Sequence, residues 1–585
     1  MVSVARKPSR VRRYLRITWY RRRRSILLAF GLLILIWFLS FFLPSKPLKI
    51  QYQFKSSTSD ILSFQNDQNI EQTRAAAVRD EFQWAYNKYH SIAWGKDEIT
   101  PVTGGFKTTR NGWGATLIDS LTTAMIMNVT TEVKWAVDYV VNDLDFDHYI
   151  DELVDPFETI IRYLGALVSA VDIIDSGAVP YISKKARNAI LNKAVHLSRL
   201  LGPAYDSPQG ILWPRVNLSS GIGSHEADVD GVVSMSRELP FPTDPARTGS
   251  NWLENYRLGM LTGDPVYHNN ATRAWASLVW NRNEETFDGL IDSPIDSFSG
   301  FSLSKSVSLG AGHDSYYEYL IKAAILAPRD KYSSKYSKRW EQAMISTKAN
   351  LAFRGTVPES YGTDGERHTK GYLFIARYYE STYLNEMGHL TCFIAGNLIL
   401  GGKYLDKPEL IKFGLDILET CHATYLTVTG LGPESFVWEP KRSDYDSEIV
   451  DGENEQVRWA ITAPGSHEQE QTRKLGFWIS DARYMLRPEV VEGYFYAYRI
   501  TGDPIYREWA WSAFQSITKY SKTKYGFGEV NDVSLPSAGG EVVDQSESFF
   551  LAETLKYLYL IFDDATTWSL DDWVFSTEGH PFARS

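Results

Sequence analysis

The sequence predicts an all-α fold, a toroid of helical hairpins, on three observations. Apolar residues recur at three- and four-residue spacings from about Ala76 to Phe562, strand-like alternation is scarce, and one helix–turn–helix unit recurs along the chain. RDEFQWAYNKYHSIAW, LIDSLTTAMIM, FETIIRYLGALVSAVDII, YYEYLIKAAIL and SFFLAETLKYLYLIF carry the helical period. The repeat is YRLGMLTGDPVYHNNATRAW at 256–275 against YRITGDPIYREWAWSAF at 498–514. In both, a glycine (Gly263, Gly502) suits the left-handed residue that ends a helix. An aspartate (Asp264, Asp503) then caps the next helix, and a proline (Pro265, Pro504) takes its first turn. GGKYLDKPEL at 401–410 is a looser third copy, and the irregularity of the copies argues against a solenoid.

Ahead of this region lie three shorter segments. Residues 1–24 hold ten Lys/Arg and no acid, and ILLAFGLLILIWFLSFFL at 26–43 is free of charge. Eighteen apolar residues can just span a bilayer, and the basic flank stays cytosolic by the positive-inside rule. The expected organisation is therefore a cytosolic tail (1–25), a transmembrane signal anchor (26–43), a polar lumenal stem (44–75) and a lumenal domain (76–585). The expected topology is that of a single-pass type II membrane protein.

The whole chain carries −10, so without its basic tail it carries about −20. An acidic ectodomain excludes nucleic acid as a partner and suits neutral ligands or divalent metals. An aromatic content of 14%, with 18 Trp and 34 Tyr, fills a large core and also suits a groove that stacks on sugars. Sequons at Asn128, Asn217 and Asn270 fit the secretory pathway. Cys392 and Cys421 are the only cysteines. In an oxidising compartment they read most simply as one disulfide, with two buried free thiols as the alternative.

Acids gather at the predicted helix starts. Asp155-Pro156-Phe157-Glu158 can cap a helix, and Glu158 then sits where a capping-box acid belongs, with Arg162 one turn on. Asp314 opens another helix, with Glu318 one turn later, and an N-cap is again the plain reading. Glu489 and Glu492 stand three apart after Pro488, a repulsive pair that calls for a cation, a shared proton or a ligand. Together these acids suggest a carboxylate-lined central pocket. Two separated carboxylates, one protonated and one activating water, are what inverting glycoside hydrolysis requires.

Eight blocks in order carry a resemblance: GWGATLIDSL, FETIIRYLGALVSA, DSYYEYLIKA, MGHLTCFIAGNLILGG, GLGPESF, RPEVVEGYFYAYRITGDP, ESFFLAETLKYLYLIF and STEGHP. From Ala76 to Pro581 the chain resembles the class I α-1,2-mannosidases, glycoside hydrolase family 47. The resemblance implies an (α/α)7 barrel that removes terminal α-1,2-linked mannose from high-mannose N-glycans, with inversion and a bound calcium ion. It implies Glu489 as general base, with Glu158 as general acid through a water and Asp314 as its partner or rival. Asp119, Arg162, Glu318, Glu434, Arg487, Glu492 and Glu553 fall on polar pocket positions, and Phe549 on the aromatic under the terminal sugar. Thr577 falls on the calcium ligand, through its carbonyl and hydroxyl, and Cys392–Cys421 on the family disulfide.

The chain departs from the family pattern in places. RPETVES becomes RPEVVEG, with Val490 and Gly493; NTEAHP becomes STEGHP, with Ser576 and Gly579. DALDT becomes DSLTT, which loses an acid at Thr122, and 221–239 matches no family motif. Gly388 in MGHLTCF resembles Golgi-type more than endoplasmic-reticulum-type members. The competing function is a mannose-binding relative that acts as a lectin in glycoprotein quality control and catalyses little; retention of Glu158, Asp314 and Glu489 favours the enzyme.

Overall fold

The computed structural model describes residues 58–224, 241–280, 285–358, 371–440, 458–460 and 464–584. The basic tail, the 26–43 anchor, the first part of the stem and most of 221–239 lie outside them. Among the described residues no helix is long and apolar enough to cross a membrane. The chain divides into two compact units, Met1–Asn66 and Asp67–Ser585.

The second unit is mainly helical. Seven of its helices, among the described residues, form one connected set: α1 Leu121–Ile126, α2 Gly165–Asp175, α3 Trp252–Thr262, α4 Asp314–Leu326, α5 Phe393–Tyr404, α6 Glu489–Thr501 and α7 Leu555–Phe562. Each packs on the next in chain order, and α7 returns against α1. They are apolar on most faces. Every residue of α4 from Ser315 to Leu326 is buried, as a helix enclosed by other elements must be.

Six further helices, Thr130–Asn142, Lys184–Leu200, Val266–Ala274, Ser333–Asn350, Pro408–Ala423 and Ile505–Tyr520, back onto α1 to α6 in turn. These are one-sided: of the seventeen residues in Lys184–Leu200 only Ile190, Ala194 and Leu197 are buried. The helix Thr58–Ala93 crosses from the first unit into the second, and its part from Asp67 onward joins this outer group. Its Gln83 donates to Glu132 at 3.1 Å and its Arg74 pairs with Glu508 at 2.7 Å. It starts inside the segment that composition reads as stem, and Glu71 and Ala75 are already buried, so packing begins before Ala76.

The repeated turns form as their residues dictate. Gly263 and Gly502 end α3 and α6 in the left-handed region at φ 73° and 75°. Asp264 and Asp503 each accept from the backbone N–H two residues on. The third copy lacks the glycine, and Asp406 takes the left-handed conformation at φ 55°. Cys392 and Cys421 are disulfide-bonded, with Cα atoms 6.0 Å apart, and tie the start of α5 to its outer partner.

Strands are more numerous than the sequence reading allows. They are two to six residues long and form six small sheets among the described residues. The largest joins Pro242–Thr243, Ser293–Asp296, Ser302–Val307, Arg377–Tyr379, Thr382–Leu384 and Arg458–Trp459. A strand of two or three residues has no alternation to read, which is why these escaped notice. One pair is central to the architecture. Trp573–Phe575 and Pro581–Ala583 form a hairpin, Phe575 opposite Pro581, with its first strand on α4 and its second on α2. Ser169 and Asp172 of α2 bond the backbone of Pro581 and Ala583 at 2.5 and 3.0 Å.

A single carboxylate organises the approach to α1. Asp97, fully buried, accepts the backbone N–H groups of Arg110, Gly112, Gly114 and Ala115 at 2.8–3.1 Å. Asp97→Ala strands those donors, and we expect a loss of about 3 kcal/mol or more in the unfolding free energy from denaturant titration; Asp97→Asn, which keeps one acceptor, should lose less.

Candidate active site

A cavity of about 450 Å3 opens where the N-terminal ends of several helices meet the tip of the C-terminal hairpin. Glu158, Asp314 and Glu489 all line it, brought from three distant parts of the chain. So do Arg162, Glu318, Arg487, Glu492, Phe549, Glu553 and Thr577. Glu434 lies next door: it lines an adjoining cavity of about 230 Å3 that shares Ala311 and Leu390 with the first. Asp119 reaches neither cavity. It is fully buried behind Arg162, 3.5 Å from that guanidinium, and accepts from Ser548 at 2.5 Å.

The three catalytic candidates occupy different electrostatic settings. Asp155, not Glu158, caps the helix Pro156–Thr159, through the N–H groups of Phe157 and Glu158. The Glu158 carboxylate instead pairs with Arg162 at 2.8 Å and Arg110 at 3.2 Å. Burial pushes its carboxyl up, but the two guanidiniums outweigh it and hold it down at about 2. Asp314 is the first residue of α4, and the residue before it, His313, takes the cap position. Its carboxylate accepts the Ser315 N–H at 2.9 Å and, more weakly, the Ser315 hydroxyl at 3.5 Å. Burial, abetted by the charges of Glu318, Glu489 and Asp244, pushes it up to about 7. Glu489 opens α6 and is held below the ordinary glutamate range, because the bond from His389 and the charge of Arg487 overcome burial. The His389 ring joins Nδ1 to Glu489 at 2.8 Å and Nε2 to the Tyr425 hydroxyl at 2.9 Å. A carboxylate can only accept, so Nδ1–H donates to Glu489.

The repulsion expected between Glu489 and Glu492 is relieved from other helices. Glu489 has His389, while Glu492 faces Lys322 at 3.8 Å, and Lys322 also pairs with Glu318. Glu553 is buried with Glu578, Glu489 and Glu492 as neighbours, and burial and their charges push its carboxyl up. Phe549 presents its ring between two guanidiniums, 5.8 Å from Arg162 and 6.0 Å from Arg487. Arg487 in turn holds Glu434 bidentately at 2.7 and 2.6 Å.

Two wide π-helical turns, Ile160–Leu164 and Phe550–Thr554, carry Arg162 and Glu553. Such turns favour functional sites and leave no periodicity signal. The sequence reading also missed Asp244, Arg247, Glu578, His389 and Arg110. Of these, His389 stood inside a quoted motif, and Glu578 adjoined Thr577.

The hairpin tip is a tight turn. Gly579 N–H bonds the Ser576 carbonyl, Ser576 N–H bonds the His580 carbonyl, and Gly579 adopts φ 66°. This is a type I turn closed by a left-handed residue. Lys556 donates to the Gly579 carbonyl at 2.7 Å and to Thr122 at 3.1 Å; Glu578 pairs with Arg162 at 2.9 Å; His580 faces Asp119 at 3.1 Å. Thr122 thus supplies a neutral oxygen to a buried lysine and, at 3.0 Å, to the His580 ring. Thr577 shares its cavity with Glu318, Glu489, Glu492, Glu553 and Glu578, an all-oxygen donor set richer in anions than in cations, which fits a hard cation. Among the described residues no three His, Cys, Asp or Glu converge to ligate an ion directly.

Of the sequons, Asn128 is exposed in a turn, Asn217 is partly buried in a short strand, and Asn270 lies within a helix.

The family model described as glycosyl hydrolase family 47 matches residues 81–584. The mannosyl-oligosaccharide α-1,2-mannosidase 1B of Aspergillus oryzae is 36% identical over 522 residues, 88% of this chain and 92% of the relative. The mannosyl-oligosaccharide α-1,2-mannosidase of Penicillium citrinum is 35% identical, with the same coverage. The solved α-1,2-mannosidase from Trichoderma reesei superimposes with a TM-score of 0.77 at 31% identity, across 88% of this chain and 99% of that one.

Gly579 sits where the resembling motif carries alanine. A Cβ there would find its neighbours at 3.5 Å, so Gly579→Ala meets no clash and only backbone strain. We expect it to lower stability by about 1 kcal/mol in denaturant titration while leaving the cavity lining intact.

Proposed function

The chain belongs to glycosyl hydrolase family 47, and we propose that it removes terminal α-1,2-linked mannose from high-mannose N-glycans by inversion, with Asp314 as general acid and Glu489 as general base. The observation that carries this reading is the divergence of two carboxyls in one cavity. Asp314 is pushed up to about 7, while Glu489 is held down by His389 and Arg487. Environments that drive paired carboxyls apart assign the acid and the base. Glu158, held at about 2, has no proton to give near neutral pH. Its ion pairs with Arg162 and Arg110 suit it to orient a water and the arginine beside Phe549.

In the proposed reaction the terminal mannose lies over Phe549. Asp314 delivers its proton to the glycosidic oxygen as the bond to the anomeric carbon breaks. A water on the opposite face of the ring attacks that carbon and passes its proton to Glu489, which His389 and Tyr425 hold in place. Configuration at the anomeric carbon inverts. Thr577, with Glu318, Glu489, Glu492, Glu553 and Glu578 acting through water, would hold calcium. When bound, the ion would supply charge that fixes the sugar hydroxyls and the attacking water.

The cyclic packing of α1 to α7, with α1 to α6 each backed by an outer helix, supports reading the fold as an (α/α)7 barrel. The basic tail and the charge-free 26–43 segment support a type II anchor in the Golgi or endoplasmic reticulum membrane, with the enzyme lumenal. The exposed sequon at Asn128 agrees with that side of the membrane.

The detergent-solubilised full chain should release mannose from a high-mannose glycan, with β-mannose formed first by time-resolved NMR, and chelation should stop the release. Thr577→Ala should weaken calcium binding by at least tenfold in calorimetry while keeping the far-ultraviolet dichroism of the parent. Glycan binding without release, calcium being present, would favour the lectin instead.

A further inference from the structure

One fully buried acid has no part in the reaction just described. Glu254, on α3, lies at the end of a chain of hydrogen bonds that begins at the hairpin tip. The Thr577 N–H donates to the Tyr319 hydroxyl at 3.3 Å, and that hydroxyl donates to Glu254 Oε1 at 2.6 Å. The hydroxyl thus accepts from the amide and donates to the carboxyl. Glu254 Oε2 is buried with no hydrogen-bond partner among the described residues. An acid so placed is expensive in a core and does no evident structural work beyond receiving the tyrosine proton.

The packing around this chain is tight. Gly165, at the start of α2, has no side chain to interpose; a Cβ there would stand 2.9 Å from the His580 ring and 3.7 Å from Glu254. Tyr319, itself fully buried, is on α4, one turn beyond Ser315 and five residues from Asp314. The helix that presents the proposed acid therefore also holds the residue proposed to meet the metal.

We propose that Tyr319 and Glu254 are positioning residues, a relay that fixes the Thr577 backbone so that its carbonyl and hydroxyl stay turned to the cavity. The proposal rests on the calcium reading for its consequence, though not for its geometry. Tyr319→Phe keeps the ring and removes the relay. It should weaken calcium binding about 5–10-fold, the effect of one lost hydrogen bond, lower kcat similarly with KM unchanged, and speed exchange of the Thr577 amide.

Because Tyr319→Phe also leaves Glu254 without a donor, a second variant separates stability from positioning. Tyr319→Phe with Glu254→Leu removes both polar partners; it should recover the melting temperature yet keep the weak calcium binding and the fast Thr577 exchange. Glu254→Gln, which retains an acceptor for the tyrosine, should rescue calcium binding to within about twofold of the parent, since the same hydrogen bond is kept. Parental calcium affinity and parental Thr577 exchange in the double variant would overturn the relay. If the parent chain binds no calcium, the metal reading fails by itself, and Thr577 exchange still decides the relay: faster in Tyr319→Phe supports it, unchanged overturns it.

Discussion

The structure turns on one electrostatic constraint: many carboxylates share an enclosed space with too few cations to neutralise them. Glu318, Glu489, Glu492, Glu553 and Glu578 meet Arg162, Arg487 and Lys322 around a single cavity. At Glu158 two guanidiniums outweigh burial and hold the carboxyl down at about 2. At Asp314 burial prevails and pushes the carboxyl up to about 7. The same rule that makes these groups costly in a core sorts them into roles. A cation bound among the remainder would lower that cost, which gives the proposed calcium a structural as well as a chemical part.

The C-terminal hairpin completes this arrangement. Helices alone leave α2, the π-helical turn before it and α7 with polar groups facing inward, and the hairpin satisfies them: Ser169 and Asp172 bond its second strand, Arg162 its Glu578, Lys556 its Gly579 carbonyl. The contacts run in both directions, since the tip carries Thr577 to the cavity. Residues 574–582, all buried but Thr577, are thus core.

Much of this was legible in the sequence. Helical period, the Gly-Asp-Pro turns and the acids at helix starts all point to elements that form, because each depends on residues close in the chain. Glu158, Asp314, Glu489 and Thr577 do meet in one cavity. What escaped depends on distant partners. No local pattern shows that Glu158 would be claimed by Arg110 rather than by its own helix start, or that His389 would reach Glu489 a hundred residues on. The π-helical turns under Arg162 and Glu553 break the very period used to find helices. The short strands have no period at all. Asp119 was read as touching substrate, yet its place behind Arg162 is set by Ser548 and His580, far away in sequence.

The central claim is the division of labour between Asp314 and Glu489, and the pH dependence of kcat/KM tests it most directly. A general acid pushed up to about 7 loses its proton as pH rises, so activity should fall through about pH 7 on the alkaline side. The base, held below the usual glutamate range, should place the acid limb under about pH 4.5. Asp314→Asn should lower kcat/KM by about 100-fold or more and abolish the alkaline limb. An alkaline limb that survives in Asp314→Asn and disappears in Glu158→Gln would contradict the account and return the acid role to Glu158.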